Sequence, residues 1–207
     1  MYLPSDFEES DLATIAGLIS NFPLATIVAH TKDGLIANPI PLLQIGADVL
    51  VGHVAASNPM HQILQDGQDV MAIFNGAQSY ISPNWYPSKA NTHRQVPTWN
   101  YEVAQMHGSI TFLRDDKSKR GGVGRLTKEF ETRTNGSSAW KMADAPKEFI
   151  STKLAEIVAF QIKVTRVVAK SELSQNKSAE DVSSVAVHIS GQGQNRLATR
   201  MSDKLLE

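Results

Sequence analysis

The residues best suited to chemistry crowd between Gly52 and Tyr101. Gly52-His53-Val54-Ala55-Ala56-Ser57-Asn58-Pro59 runs from an expected strand end, through a turn of small residues, to an expected helix start. Free backbone N–H groups at such a turn, beside a hydroxyl and an amide, can cradle phosphate oxygens. Ser57 and Asn58 are the candidate ligands, and His53 could add a proton or a charge. The same residues also make an ordinary helix start, with Asn58 as cap and Pro59 at the first helical position. Tyr80-Ile81-Ser82-Pro83-Asn84-Trp85-Tyr86 sets three aromatics and two small polar side chains in seven residues. Such a cluster can stack on a flat ring and hydrogen-bond its rim, or plug a barrel end or a dimer interface. In Val96-Pro97-Thr98-Trp99-Asn100-Tyr101, extended backbone puts Trp99 and Tyr101 on one face and Thr98 and Asn100 on the other. Ser171-Glu172-Leu173-Ser174-Gln175-Asn176 reads as a polar strand exit and a capped turn.

Other chemistries find little support. The six histidines (His30, His53, His61, His93, His107 and His188) form no HExxH or other tight ligand spacing, so no metal site is expected. No G-x-S-x-G elbow occurs. Gly121-Gly122-Val123-Gly124 is followed by Arg125 and does not spell a phosphate-binding P-loop. Arg114–Arg133 carries seven basic and four acidic residues, a local excess that suits phosphates or a solvated face. No catalytic residue is assigned.

The whole chain of 207 residues suits one domain with a modest appendage. Its 20 basic and 21 acidic residues nearly cancel, which leaves no global attraction to nucleic acid or anionic membrane. Cysteine is absent, so disulfides, thiolate catalysis and cysteine-held metal clusters are excluded. The acidic start MYLPSDFEESD lacks a basic signal region, and no apolar run approaches membrane-spanning length. A cytoplasmic protein with no membrane partner is the expectation.

Those side chains need elements to position them. A helix capped by Ser10 is expected to end at Pro23, followed by strands at Leu24–His30, Leu35–Leu43 and Val49–Val54. A short helix, Met60–Gln65, precedes strands at Val70–Phe74 and Ser79–Ser82, and 84–97 reads as a loop. Trp99–Leu113 is long for one strand, so Gly108 is expected to mark a bulge. The glycines at 121–124 should be flexible, with helices at Arg125–Thr134 and Pro146–Leu154. A last strand, Ile157–Ala169, precedes helices at Ala179–Ile189 and Arg196–Leu206. Six or seven strands without β-α-β alternation argue for a mainly β fold with peripheral helices, a closed or split antiparallel barrel. The expected division is a barrel over residues 1–170 with a helical extension over 171–207 packed on it.

Taken in order, these segments resemble the PaiB-type FMN-binding negative transcriptional regulators, within the FMN-binding split-barrel group. That group includes pyridoxamine-phosphate-oxidase-like proteins and flavin reductases. The marks are Met1-Tyr2-Leu3-Pro4, Pro39-Ile40-Pro41-Leu42, Gly52-His53-Val54-Ala55 with Asn58-Pro59, Tyr80-Ile81-Ser82-Pro83 with Trp85-Tyr86, Val96–Tyr101, and Leu173-Ser174-Gln175-Asn176. The chain departs from the pattern at Met60-His61, where the family usually has tryptophan two places after the proline. It departs again at Ala169-Lys170-Ser171-Glu172, where a basic residue is lost and a nucleic-acid role is weakened. The resemblance implies a split-barrel homodimer with FMN in a cleft shared by the two subunits. It implies His53, Ser57, Asn58, Tyr80, Ser82, Trp85, Tyr86, Trp99 and Asn100 as cofactor-binding positions. The function expected first is a flavin reductase-like oxidoreductase using NAD(P)H. The alternatives are a PaiB-type regulator that binds DNA and a haem-binding split-barrel protein.

Overall fold

The computed structural model describes residues 1–206. Seven strands form one sheet: β1 (Leu24–Thr31), β2 (Gly34–Pro41), β3 (Leu43–Ile45), β4 (Val49–Ala55), β5 (Asp69–Ile81), β6 (Thr98–Leu113) and β7 (Ile157–Glu172). Their order is β2-β1-β5-β6-β7-β4-β3. β1 pairs antiparallel with β2 and β5, and β4 antiparallel with β3 and β7. The hydrogen-bonded ladder is open at β2 and β3, so the barrel is split. Among the described residues seven α-helices accompany it: α1 (Leu12–Asn21), α2 (Met60–Ile63), α3 (Lys89–Thr92), α4 (Asp116–Asn135), α5 (Lys147–Ala155), α6 (Ala179–Gly191) and α7 (Asn195–Asp203).

The chain forms two compact units. The sheet unit comprises Phe22–Phe74 and Gln105–Val167. Alternation along its strands buries Ile27, Leu50, Phe74, Ile110 and Phe160, each 1% exposed or less. α4 is one continuous helix through Gly121, Gly122 and Gly124, where flexibility was expected. Each helical glycine costs about 1 kcal/mol against alanine. Close packing offsets this at Gly122, whose missing Cβ would stand 3.3 Å from Val51 Cγ1. Asp115 caps the helix by accepting from the Ser118 N–H at 2.9 Å. β6 runs without interruption through Gly108. That glycine is required by a close crossing: a Cβ there would lie 2.2 Å from the Lys163 carbonyl oxygen.

The helical unit comprises Met1–Asn21, Asn75–Ala104 and the residues from Val168 onward. α1 is capped by Asp11, which accepts from the N–H groups of Ala13 and Thr14, one residue beyond the expected Ser10. The C-terminal helices share one core with Ile81, Tyr86 and Leu173, in the same compact unit as 75–104 and the N-terminal segment. A 3-10 turn (Pro83–Trp85) leads into segment 84–97, which was expected as a loop and holds α3. Among the described residues no helix is long and apolar enough to cross a membrane.

Candidate functional site

In the sheet unit, β4 ends and α2 begins around a groove of about 400 Å³, lined by Asn38, Ser57, Asn58, Met60 and Ile63 among others. Pro59 ends the extended run, and the Asn58 Oδ1 accepts from the Met60 N–H at 2.9 Å, as a cap should. The Asn58 Nδ2 donates to Asn38 Oδ1 in the middle of β2 at 3.3 Å, so the amide is oriented from a second strand. Asn38 was missed from the sequence. Its only signal was its place in the Pro-Ile-Pro strand, whose kinship to Asn58 depends on tertiary pairing. The His53 side chain lies on β4, outside the lining of this groove, and partial desolvation by its surroundings lowers its pKa below the ordinary histidine value. His61 turns back, its Nε2 2.9 Å from the Ala56 carbonyl oxygen and its ring edge-on to Phe112.

This groove offers neutral donors and an apolar floor, with no lysine or arginine in its wall. Those residues suit an uncharged heteroaromatic ring and its polar rim. A phosphate dianion would lack a countercharge there.

In the helical unit, the remaining predicted residues are placed differently. Tyr80 and Trp99 lie on the adjacent strands β5 and β6 and meet edge to face, with ring centroids 6.3 Å apart, and both stay largely exposed. Ser82 caps the 3-10 turn by accepting from the Asn84 N–H, and Trp85 stacks on His188 of α6 at 5.5 Å. Tyr86 and Asn100 are buried and converge on Ser174. The Tyr86 hydroxyl is 3.4 Å from Ser174 Oγ, and Asn100 engages Ser174 through contacts of 3.0 and 3.1 Å. Burial pushes the Tyr86 phenol up, against the Ser174 hydrogen bond. Ser174 has φ +65°, a left-handed conformation that serine seldom adopts, held by this network. Ser174 and Asn100 line a small cavity of about 150 Å³ with Thr98, Asn176 and Lys177. Lys177 donates to Gln95 Oε1 at 2.9 Å and lies over the Tyr86 ring. Thr98, Ser174 and Lys177 supply the hydroxyls and the cation that the sequence reading left unassigned. The polar run 171–176 was the available signal, and its convergence on Asn100 is a tertiary fact.

Both residue sets thus carry donors that suit an aromatic cofactor, one neutral and one with a cation. Comparison with known proteins points the same way. A profile of the family described as "Putative FMN-binding domain" matches residues 1–166. The "Protease synthase and sporulation protein PAI 2" of Bacillus subtilis is 29% identical over 211 residues, covering 99% of this chain and 98% of that protein. Among solved structures, the FAD and haem binding protein of Mycobacterium smegmatis aligns with a TM-score of 0.63 at 18% identity, over 84% of this chain and 78% of that one. The flavocytochrome Anf3 of Azotobacter vinelandii aligns with a TM-score of 0.58 at 12% identity, over 79% of this chain and 68% of that one. At such identities the structural likeness establishes the fold alone. The matches to the FMN-binding profile and to a full-length relative, on a split sheet of this order, establish that the chain belongs to the PaiB-type FMN-binding domain family, that FMN is its cofactor, and that its fold is the FMN-binding split barrel.

Proposed function

We propose that this protein is an FMN-binding regulator of the PaiB type, acting as a homodimer that binds promoter DNA according to its flavin state. One observation carries the reading. The similarity to the Bacillus protein extends over 99% of the chain, through α6 and α7, whereas the FMN-binding profile ends at residue 166. The C-terminal segment that carries α6 and α7 is therefore shared with that relative beyond the FMN-binding profile, and a bare flavin-exchanging barrel would not need it. This favours the regulatory alternative over the flavin reductase expected first from the sequence.

In the sheet unit we assign Ser57, Asn58 and Asn38 to the polar rim of the flavin, since the groove they line is neutral. In the helical unit, Tyr80 and Trp99 offer an exposed aromatic edge, and Asn100, Thr98 and Lys177 offer donors. Ser82, Trp85 and Tyr86 hold that unit's turn, and His53 is a polar neighbour on β4. Bound FMN would supply reversible electron transfer, and the protein's part is to hold and tune it.

The experiment begins with the visible spectrum of the purified protein. Flavin's two bands support the cofactor assignment, and a single intense Soret band would replace it with the haem reading. FMN titration should weaken about tenfold in Ser57→Ala and in Asn38→Asp, the scale of one lost hydrogen bond to a polar rim. The FMN-loaded dimer is then challenged with promoter fragments at physiological salt, before and after anaerobic addition of NADH or NADPH. Retention of specific fragments that changes with flavin state supports regulation. Rapid NAD(P)H turnover with no fragment retained would make it a reductase.

A further inference from the structure

Beyond the flavin reading, we propose a second ligand site for a small aromatic anion of mononucleotide size, on α4 of the sheet unit. A cavity of about 520 Å³ lies between α4 and the segment that follows it, within the size range of small-molecule sites. None of the residues assigned above to FMN lines it. Its wall contains Trp140, Lys128, Lys141, Thr127, Thr132 and Ser137, and no carboxylate.

The site is built rather than left over. The Glu131 carboxylate on α4 accepts from the backbone N–H of Trp140 at 3.0 Å and from Asn135 Nδ2 at 2.8 Å. These bonds hold the Glu131 carboxyl below the ordinary range. The Lys141 N–H donates to Asp144 at 2.8 Å and fixes the far side. The backbone is thus anchored, yet Trp140 as a residue stays 41% exposed and lines the cavity wall. Small residues keep the floor open: at Gly124 a Cβ would meet only the Met142 sulfur, at 3.6 Å. Neither Lys128 nor Lys141 is ion-paired through its ammonium among the described residues.

The occupant follows from these groups. An indole face accepts a planar ring, two unpaired ammonium groups accept an anionic tail, and three hydroxyls accept or donate to polar oxygens. An aromatic ring carrying a phosphate or carboxylate satisfies all three. A purely apolar ligand would leave the lysines unused, and a simple anion would leave the indole unused.

The test uses the FMN-saturated protein and AMP as the probe, by isothermal titration calorimetry. AMP should bind with a Kd below about 1 mM and weaken at least tenfold when adenosine replaces it. It should weaken similarly in Lys128→Glu and in Trp140→Ala, and remain unchanged in Ser57→Ala. Circular dichroism and melting of each variant check its folding. If Trp140→Ala fails to fold, Trp140→Phe, which keeps a ring, should retain binding. Absence of heat at that concentration overturns the proposal, as does equal binding by Lys128→Glu. Binding seen only without FMN, and displaced by FMN, would place AMP in the flavin site and also overturn it.

Discussion

Replacing Arg200 by methionine isolates the charge that joins α7 to the rest of the helical unit. The Arg200 Nε donates to Glu102 Oε1 at 2.8 Å, and a terminal nitrogen lies 3.5 Å from Glu9 Oε2. The side chains of Glu102 and Glu9 are 1% and 5% exposed. Glu9 keeps other partners in Ser171 and Lys204, at 3.2 and 3.6 Å. Glu102 does not, because its Oε2 is buried with no hydrogen-bond partner among the described residues. Methionine fills a similar volume, so the main loss is electrostatic. Leaving a buried charge unpaired costs roughly 3–5 kcal/mol. The variant can escape part of that by taking up a proton. Keeping an ordinary glutamate, reference pKa about 4.3, protonated at pH 7 costs about 3.7 kcal/mol, and at pH 5 only about 1 kcal/mol. The native state of the variant then binds a proton that the unfolded chain does not, so its stability falls as pH rises. Urea unfolding should therefore show Arg200→Met less stable than the parent by about 4 kcal/mol at pH 7 and by about 1 kcal/mol at pH 5. Adding Glu102→Gln should recover most of the loss at pH 7. A deficit below about 1 kcal/mol at pH 7, or one equally large at both pH values, would refute the reasoning.

Gly108→Ala should destabilise by about 3 kcal/mol or more, because the carbonyl oxygen it meets at 2.2 Å belongs to backbone and cannot rotate away; thermal melting checks this. Ser174→Ala should cost about 2 kcal/mol by stranding Tyr86 and Asn100. Ser174→Gly loses the same hydroxyl but relieves the left-handed backbone, so it should be more stable than Ser174→Ala by about 1 kcal/mol in the same urea assay. The lowered pKa of His53 means that the unfolded chain binds its proton more readily, so its contribution to stability is present above the ordinary histidine pKa and is lost as pH falls through the lower native one. His53→Gln should therefore flatten the stability change between neutral and mildly acidic pH; an unchanged slope would remove His53 as its source.

Much of the scaffold was legible in the residues alone. Apolar alternation located all the long strands, and the Asn58-Pro59 pair marked the start of α2, because caps and fixed proline torsions act within a few residues. The continuity of β5 across residues 75–78, the helical state of Gly121–Gly124 and the close approach of the Lys163 carbonyl to Gly108 were not legible. Each depends on what lies across a packing contact, such as Val51 against Gly122 or the Lys163 carbonyl against Gly108. The aromatic and polar character of the cofactor-binding positions, and the family they resemble, were determined by the sequence itself, since residue type and order carry the donors and rings. Which of them share a wall was decided only in three dimensions. Asn38 reaches Asn58 from 20 residues away and Asn100 reaches Ser174 from 74, and no local preference encodes a hydrogen bond made across the fold.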